Sequence, residues 1–156
     1  MELHPDCEPL AFLLGVWRGR GEGEYPTIEP FSYLEEVTFG HVGKPFLAYV
    51  QKTRDAESGQ PLHAESGYLR AVGGDRIELV IAQPSGIVEI HSGRVAGGTL
   101  DLVLDVVHTA AEAKSVTDVK RSIGVDDDVL QYTVSMAAVG RPLTHHLAAR
   151  LERQTD

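Results

Sequence analysis

Residues 99–108 read Thr99-Leu100-Asp101-Leu102-Val103-Leu104-Asp105-Val106-Val107-His108. Leu100, Leu102, Leu104 and Val106 fall at every second position, with Asp101 and Asp105 between them. That period belongs to a strand with one buried and one solvated face. The same alternation recurs in residues 31–39, 46–53, 62–72, 76–83, 87–94 and 129–138, and more weakly in 116–125. Adding 17–24 and 144–152 brings the count to about ten strands. Turn-forming strings separate them: Gly43-Lys44-Pro45, Ser58-Gly59, Gly73-Gly74-Asp75, Pro84-Ser85-Gly86, Gly97-Gly98, Asp126-Asp127-Asp128 and Gly140-Arg141-Pro142. Evenly spaced strands joined by short turns make an antiparallel meander, and closing it removes the exposed edges that invite aggregation. The expected fold is therefore all-β, a ten-stranded up-and-down barrel wide enough to enclose a small ligand. Helical spacing occurs once, at Leu10, Leu13 and Leu14 within 9–14, and predicts a short N-terminal helix or plug.

A chain of 156 residues with 42% hydrophobic and 24% charged composition fits one soluble globular domain, expected to run from 1 to 156. Cys7, the one cysteine, cannot form an intramolecular disulfide. No apolar run approaches the roughly 20 residues of a membrane helix. The first residues carry Glu2, Asp6 and Glu8 rather than a basic leader, so a cytoplasmic protein is expected. A formal charge of −9 repels phosphate backbones and anionic membranes, which argues against nucleic-acid and membrane partners.

The string Gly15-Val16-Trp17-Arg18-Gly19-Arg20-Gly21 sets glycines on one face of the first strand, where they permit close backbone approach, and Trp17 is a large apolar plug. Its ordinary meaning is barrel closure, not catalysis. No βαβ unit follows, so a dinucleotide fingerprint is excluded. Neither Ser85 nor Cys7 has an evident base. The histidines, His4, His41, His63, His91, His108, His145 and His146, form no H-x-x-x-H pair and no Cys/His cluster, which speaks against structural zinc. His145 and His146 are adjacent, so on a regular strand only one of them faces the interior. Alternation groups His145 with Leu147, Ala149 and Leu151 and so favours His145 inside; a solvated turn histidine after Pro142 is the plainer reading of either.

Several strings occur together and in order: the G-x-W-x-G-x-G motif, Tyr25-Pro26-Thr27-Ile28, Tyr33-Leu34-Glu35-Glu36, His41-Val42-Gly43-Lys44-Pro45, Glu65-Ser66-Gly67-Tyr68, Ala82-Gln83-Pro84-Ser85-Gly86 and Pro142-Leu143-Thr144-His145-His146-Leu147. Across nearly the whole chain this resembles the nitrobindin family. The resemblance implies a lipocalin-like and fatty-acid-binding-protein-like barrel that holds one ferric haem b at its mouth through a single axial histidine. In the family pattern that histidine directly precedes the last Leu of the string, which is His146, against the alternation. A bulge at 142–145, or a strand starting after His146, would reconcile the two.

The resemblance further implies that Thr27 lies near the haem edge, that Leu62 and His63 face the distal side, and that Gln83 and Met136 line the pocket. Lys114 would stand near a propionate. Met136 shares a face with Leu130, Tyr132 and Val134 and reads equally well as core. The acceptor that should fix the tautomer of His146 is not visible in the sequence. The implied function is isomerisation of peroxynitrite to nitrate, with nitric oxide binding the same iron and a homodimer left open. One alternative is a non-catalytic carrier of fatty acid or another apolar molecule, with Arg121 and Tyr132 on its carboxylate. A haem sensor or nitric-oxide transporter is another.

Overall fold

The computed structural model describes residues 1–155. Its strands are β1 (Gly15–Tyr25), β2 (Ile28–His41), β3 (Phe46–Asp55), β4 (Pro61–Ala71), β5 (Arg76–Gln83), β6 (Ile87–Ala96), β7 (Thr99–Thr109), β8 (Val116–Asp126), β9 (Val129–Ala138) and β10 (Thr144–Arg153). Each pairs antiparallel with its sequence neighbours, and β1 pairs with β10 to close the barrel. The strand ends lie within three residues of those predicted from alternation. Among the described residues, no helix is long and apolar enough to cross a membrane.

The predicted N-terminal helix is a 3₁₀ helix, Pro5–Leu13, rather than an α-helical turn starting at Pro9. Pro9 inside it has no N–H to donate to an α-helical ladder. Cys7, Leu10 and Leu13 are buried against Trp17, whose indole N–H donates to the Leu13 carbonyl at 2.7 Å. The Arg153 guanidinium lies 4.1 Å from the indole centroid and donates to the carbonyls of Phe12 and Leu14. Leu47, Leu69, Ile77, Leu100 and Leu151 surround this plug, each fully or almost fully buried. Each contributes about 1.5–3 kcal/mol of burial.

In a meander successive turns alternate between the barrel ends. The turns after β2, β4, β6 and β8 share the plugged end; those after β1, β3, β5, β7 and β9 ring the other, which stays open. The glycine motif tightens the β1 wall. A Cβ on Gly19 would sit 2.1 Å from the Arg150 carbonyl oxygen, and one on Gly21 would sit 2.2 Å from the Tyr33 ring.

Register shifts interrupt the alternation at three places that matter. Between β6 and β7, Ile90 pairs with Val106 and His91 with Leu104, so Asp105 is the extra residue. This corrects the expected face of Val106: it turns outward, 39% exposed, and Val107 packs inward in its place. The other two bulges lie on β4 and β10, at the open end.

Candidate functional site

A cavity of about 790 Å³ occupies the open half of the barrel, a volume typical of small-molecule and cofactor pockets. Its walls are mostly apolar, with Phe31, Val37, Ile87, Val119, Ile123, Val134 and Leu147 among them. All seven residues singled out from the sequence line it. Thr27 is exposed in the β1–β2 turn, Leu62 and Lys114 are exposed at the rim, and His63, Gln83, Met136 and His146 are half-buried. His145 is exposed and does not line the cavity.

The choice between the two histidines is made by a bulge. His145 pairs with Ser135 and Leu147 with Val134, which leaves His146 as an extra residue on β10. Alternation fails there, and the consecutive residues His146 and Leu147 both face the cavity. The bulge is one residue further along than 142–145. His146 Nδ1 lies 2.9 Å from the Glu24 carbonyl, the acceptor the sequence did not reveal, and the ring meets Tyr25 edge-on at 5.4 Å. Because a carbonyl only accepts, Nδ1 carries the proton and Nε2 keeps its lone pair. Burial lowers the basicity of His146, opposed by the Glu24 carbonyl and reinforced by His145 and His63, so the ring favours its neutral form.

The β4 bulge does the same for Leu62 and His63. Lys52 pairs with Ala64 and Arg54 with Pro61, so these two residues stand opposite Thr53 alone. The Thr53 hydroxyl accepts from the His63 N–H at 3.1 Å and donates to the His63 carbonyl at 3.3 Å, pinning the backbone.

Deeper in the barrel lie charged groups of which the sequence singled out only Arg121, with Tyr132, and only for a carrier of fatty acid or another apolar molecule. Glu65 is 5% exposed; it accepts two bonds from Arg121 at 2.8 and 3.0 Å and one from the Tyr49 hydroxyl at 3.0 Å. Arg121 also donates to Glu89 at 3.0 Å, and Glu89 contacts the fully buried His91 at 2.8 Å. Burial works to raise the Glu65 carboxyl, but the Arg121 charge prevails and holds it well below the usual carboxylate range. Nearby, the Tyr132 hydroxyl donates to Glu35 at 2.7 Å and the Gln51 amide donates to it at 3.0 Å. Burial pushes the Glu35 carboxyl up to about 7 against those two bonds. The sequence did carry a signal for this layer: Glu35, Glu65 and Glu89 each occupy an inward position of an alternating strand.

These residues fit a prosthetic group that brings its own equatorial ligands. Among the described residues no cluster of three or more His, Cys, Asp or Glu is placed to hold a bare metal ion. A single neutral imidazole with a free Nε2, set in an apolar wall, is what a porphyrin iron takes.

Known proteins resemble this chain over nearly its whole length. A protein of Mycolicibacterium paratuberculosis named peroxynitrite isomerase 1 is 57% identical over 98% of both chains. One from Nocardia farcinica named peroxynitrite isomerase is 53% identical over 97% of this chain and 92% of its own. The crystal structure of Rv2717c from M. tuberculosis superposes with a TM-score of 0.93 at 51% identity, over 99% of this chain and 100% of that one. Residues 6–153 match the protein-family model described as "THAP4-like, heme-binding beta-barrel domain". With the ten-stranded barrel and the ordered motifs, this match places the chain in the THAP4-like haem-binding β-barrel family, as the nitrobindin resemblance implied.

Proposed function

We propose that this chain is a peroxynitrite isomerase that holds one ferric haem b through His146 and binds nitric oxide at the same site. The observation that carries the reading is the β10 bulge, which turns His146 into the cavity with Nδ1 committed to the Glu24 carbonyl. Relatives named peroxynitrite isomerase, more than half identical over nearly the full length, support the reaction class. When bound, the haem iron supplies the Lewis-acidic and one-electron chemistry by which peroxynitrite rearranges to nitrate.

The chain's own residues do the rest. His146 would hold the haem iron through Nε2, and the Tyr25 edge and Glu24 carbonyl hold its ring in one orientation. Thr27 would lie near the haem edge, Leu62 and His63 would face the distal side, Gln83 and Met136 line the pocket, and Lys114 at the rim would pair with a propionate.

The carrier alternative needs a cation free to meet a fatty-acid carboxylate. Arg121 is instead bound by both Glu65 and Glu89, and Tyr132 donates to Glu35, so a buried carboxylate would meet net negative charge.

Stopped-flow decay of peroxynitrite, with nitrate yield, tests the proposal on hemin-loaded and haem-free protein. Faster decay and a raised nitrate yield from the loaded protein are expected. Equal decay in the two samples would end the catalytic claim.

A further inference from the structure

The buried Glu65–Arg121 pair lies beneath His63, and the proposed reaction assigns it no role. Glu65 Oε1, which already accepts from Arg121, lies 3.5 Å from His63 Nε2, and Gln83 donates to the same oxygen at 3.4 Å. Four side chains therefore converge on one carboxylate that burial alone would neutralise and that Arg121 keeps ionised. That carboxylate, 3.5 Å from His63 Nε2, is a charged acceptor facing an Nε2–H without the geometry of a completed hydrogen bond. The other ring nitrogen, Nδ1, has no hydrogen-bond partner among the described residues, and the ring lines the cavity. The β4 bulge and the reciprocal Thr53 bonds fix the backbone that carries it.

His63 is also placed against His146. Around the closed barrel β4 stands four strands from β10 in one direction and six in the other, so the two rings face the cavity from nearly opposite walls.

We infer that Glu65 is a positioning residue: it holds His63 in the Nε2–H tautomer so that Nδ1 shares a single proton with an acidic small ligand entering opposite His146. The neutral ring accepts the O–H of peroxynitrous acid; the protonated ring donates to the peroxynitrite anion. Both states contain the same atoms and one proton, resting on nitrogen or on oxygen, and no bond other than the shared hydrogen bond changes. Nitrate, the base of a strong acid, does not take that proton, so His63 distinguishes substrate from product. This inference rests on the proposed reading of the cavity.

Two measurements test it. In haem-free protein, ¹⁵N chemical shifts of the His63 ring should report the Nε2–H tautomer in the wild type and a mixture of tautomers in Glu65→Gln. An Nδ1–H tautomer in the wild type, or no change in the variant, overturns the role of Glu65. In hemin-loaded protein, azide, which shares a proton as peroxynitrite does, and nitric oxide, which does not, are titrated by absorption. His63→Leu should weaken azide about tenfold, about 1.4 kcal/mol, and leave nitric oxide within about twofold. Equal losses for both probes, or none for azide, overturn the inference. Failure to take up hemin would sink the reading of the cavity, and the ¹⁵N measurement would still decide whether Glu65 sets the tautomer.

Discussion

His146 Nδ1 takes the Glu24 carbonyl oxygen as its acceptor at 2.9 Å, across the point where β1 and β10 cease to pair. The contact fixes which nitrogen is available to a metal, and the neighbouring His145 has no equivalent. His146→Ala should therefore abolish the hemin Soret shift or weaken hemin binding about 100-fold or more, the upper end of what loss of a supporting residue alone costs. His145→Ala should stay within about twofold, because its ring is exposed and outside the cavity. A hemin titration of both variants checks this; comparable losses would mean that the bulge does not select between the two.

The barrel was legible because its evidence is local and repeated: alternation in strands such as β5 and β9 predicts both ends to the residue, and the turn strings fall between them. The site was less legible for a definite reason. Its histidines stand at bulges, and a bulge is a departure from the period by which faces are read. Alternation favoured His145, and only the order of the family's motifs pointed to His146. The same failure moved Val106 outward on β7. The acceptor of His146 is a backbone carbonyl, which any residue at position 24 supplies, so no side chain could announce it. Glu65 and Arg121 are 56 positions apart and meet only when β4 and β8 face each other across the closed barrel.

The glycine motif makes a graded prediction. At Gly19 an added Cβ meets the Arg150 carbonyl and the Leu151 Cα, and backbone paired across the β1–β10 seam cannot yield without breaking the ladder. At Gly21 it meets the end of the Tyr33 ring, a side chain able to rotate away at the expense of its 2.7 Å bond to Tyr132. Gly19→Ala should cost about 3 kcal/mol or more, and Gly21→Ala roughly 1–3 kcal/mol. Urea unfolding of the two variants reads the order, and a reversed order would show that the seam is softer than its geometry.

Glu35 gives the pH dependence a definite sign. Its carboxyl is pushed up to about 7 by burial, against the bonds from Tyr132 and Gln51, whereas its ordinary value is 4.5. Between those values the folded chain binds a proton that the unfolded chain has released, so this group's contribution to stability falls as pH rises through that window. Glu65 acts at the other end: held low by Arg121, it contributes stability above the ordinary carboxylate range that is lost on acidification. Glu35→Gln removes the first effect and leaves the second. The new amide can donate to Gln51 Oε1, which has no partner among the described residues, once the Gln51 amide turns over, and it keeps an oxygen for Tyr132. The variant should be more stable than wild type at pH 8, by on the order of 3 kcal/mol, with the gain gone by about pH 4. Urea melts of haem-free protein across that range measure it. Parallel stability curves for the two proteins would show that Glu35 ionises in the fold as freely as in water.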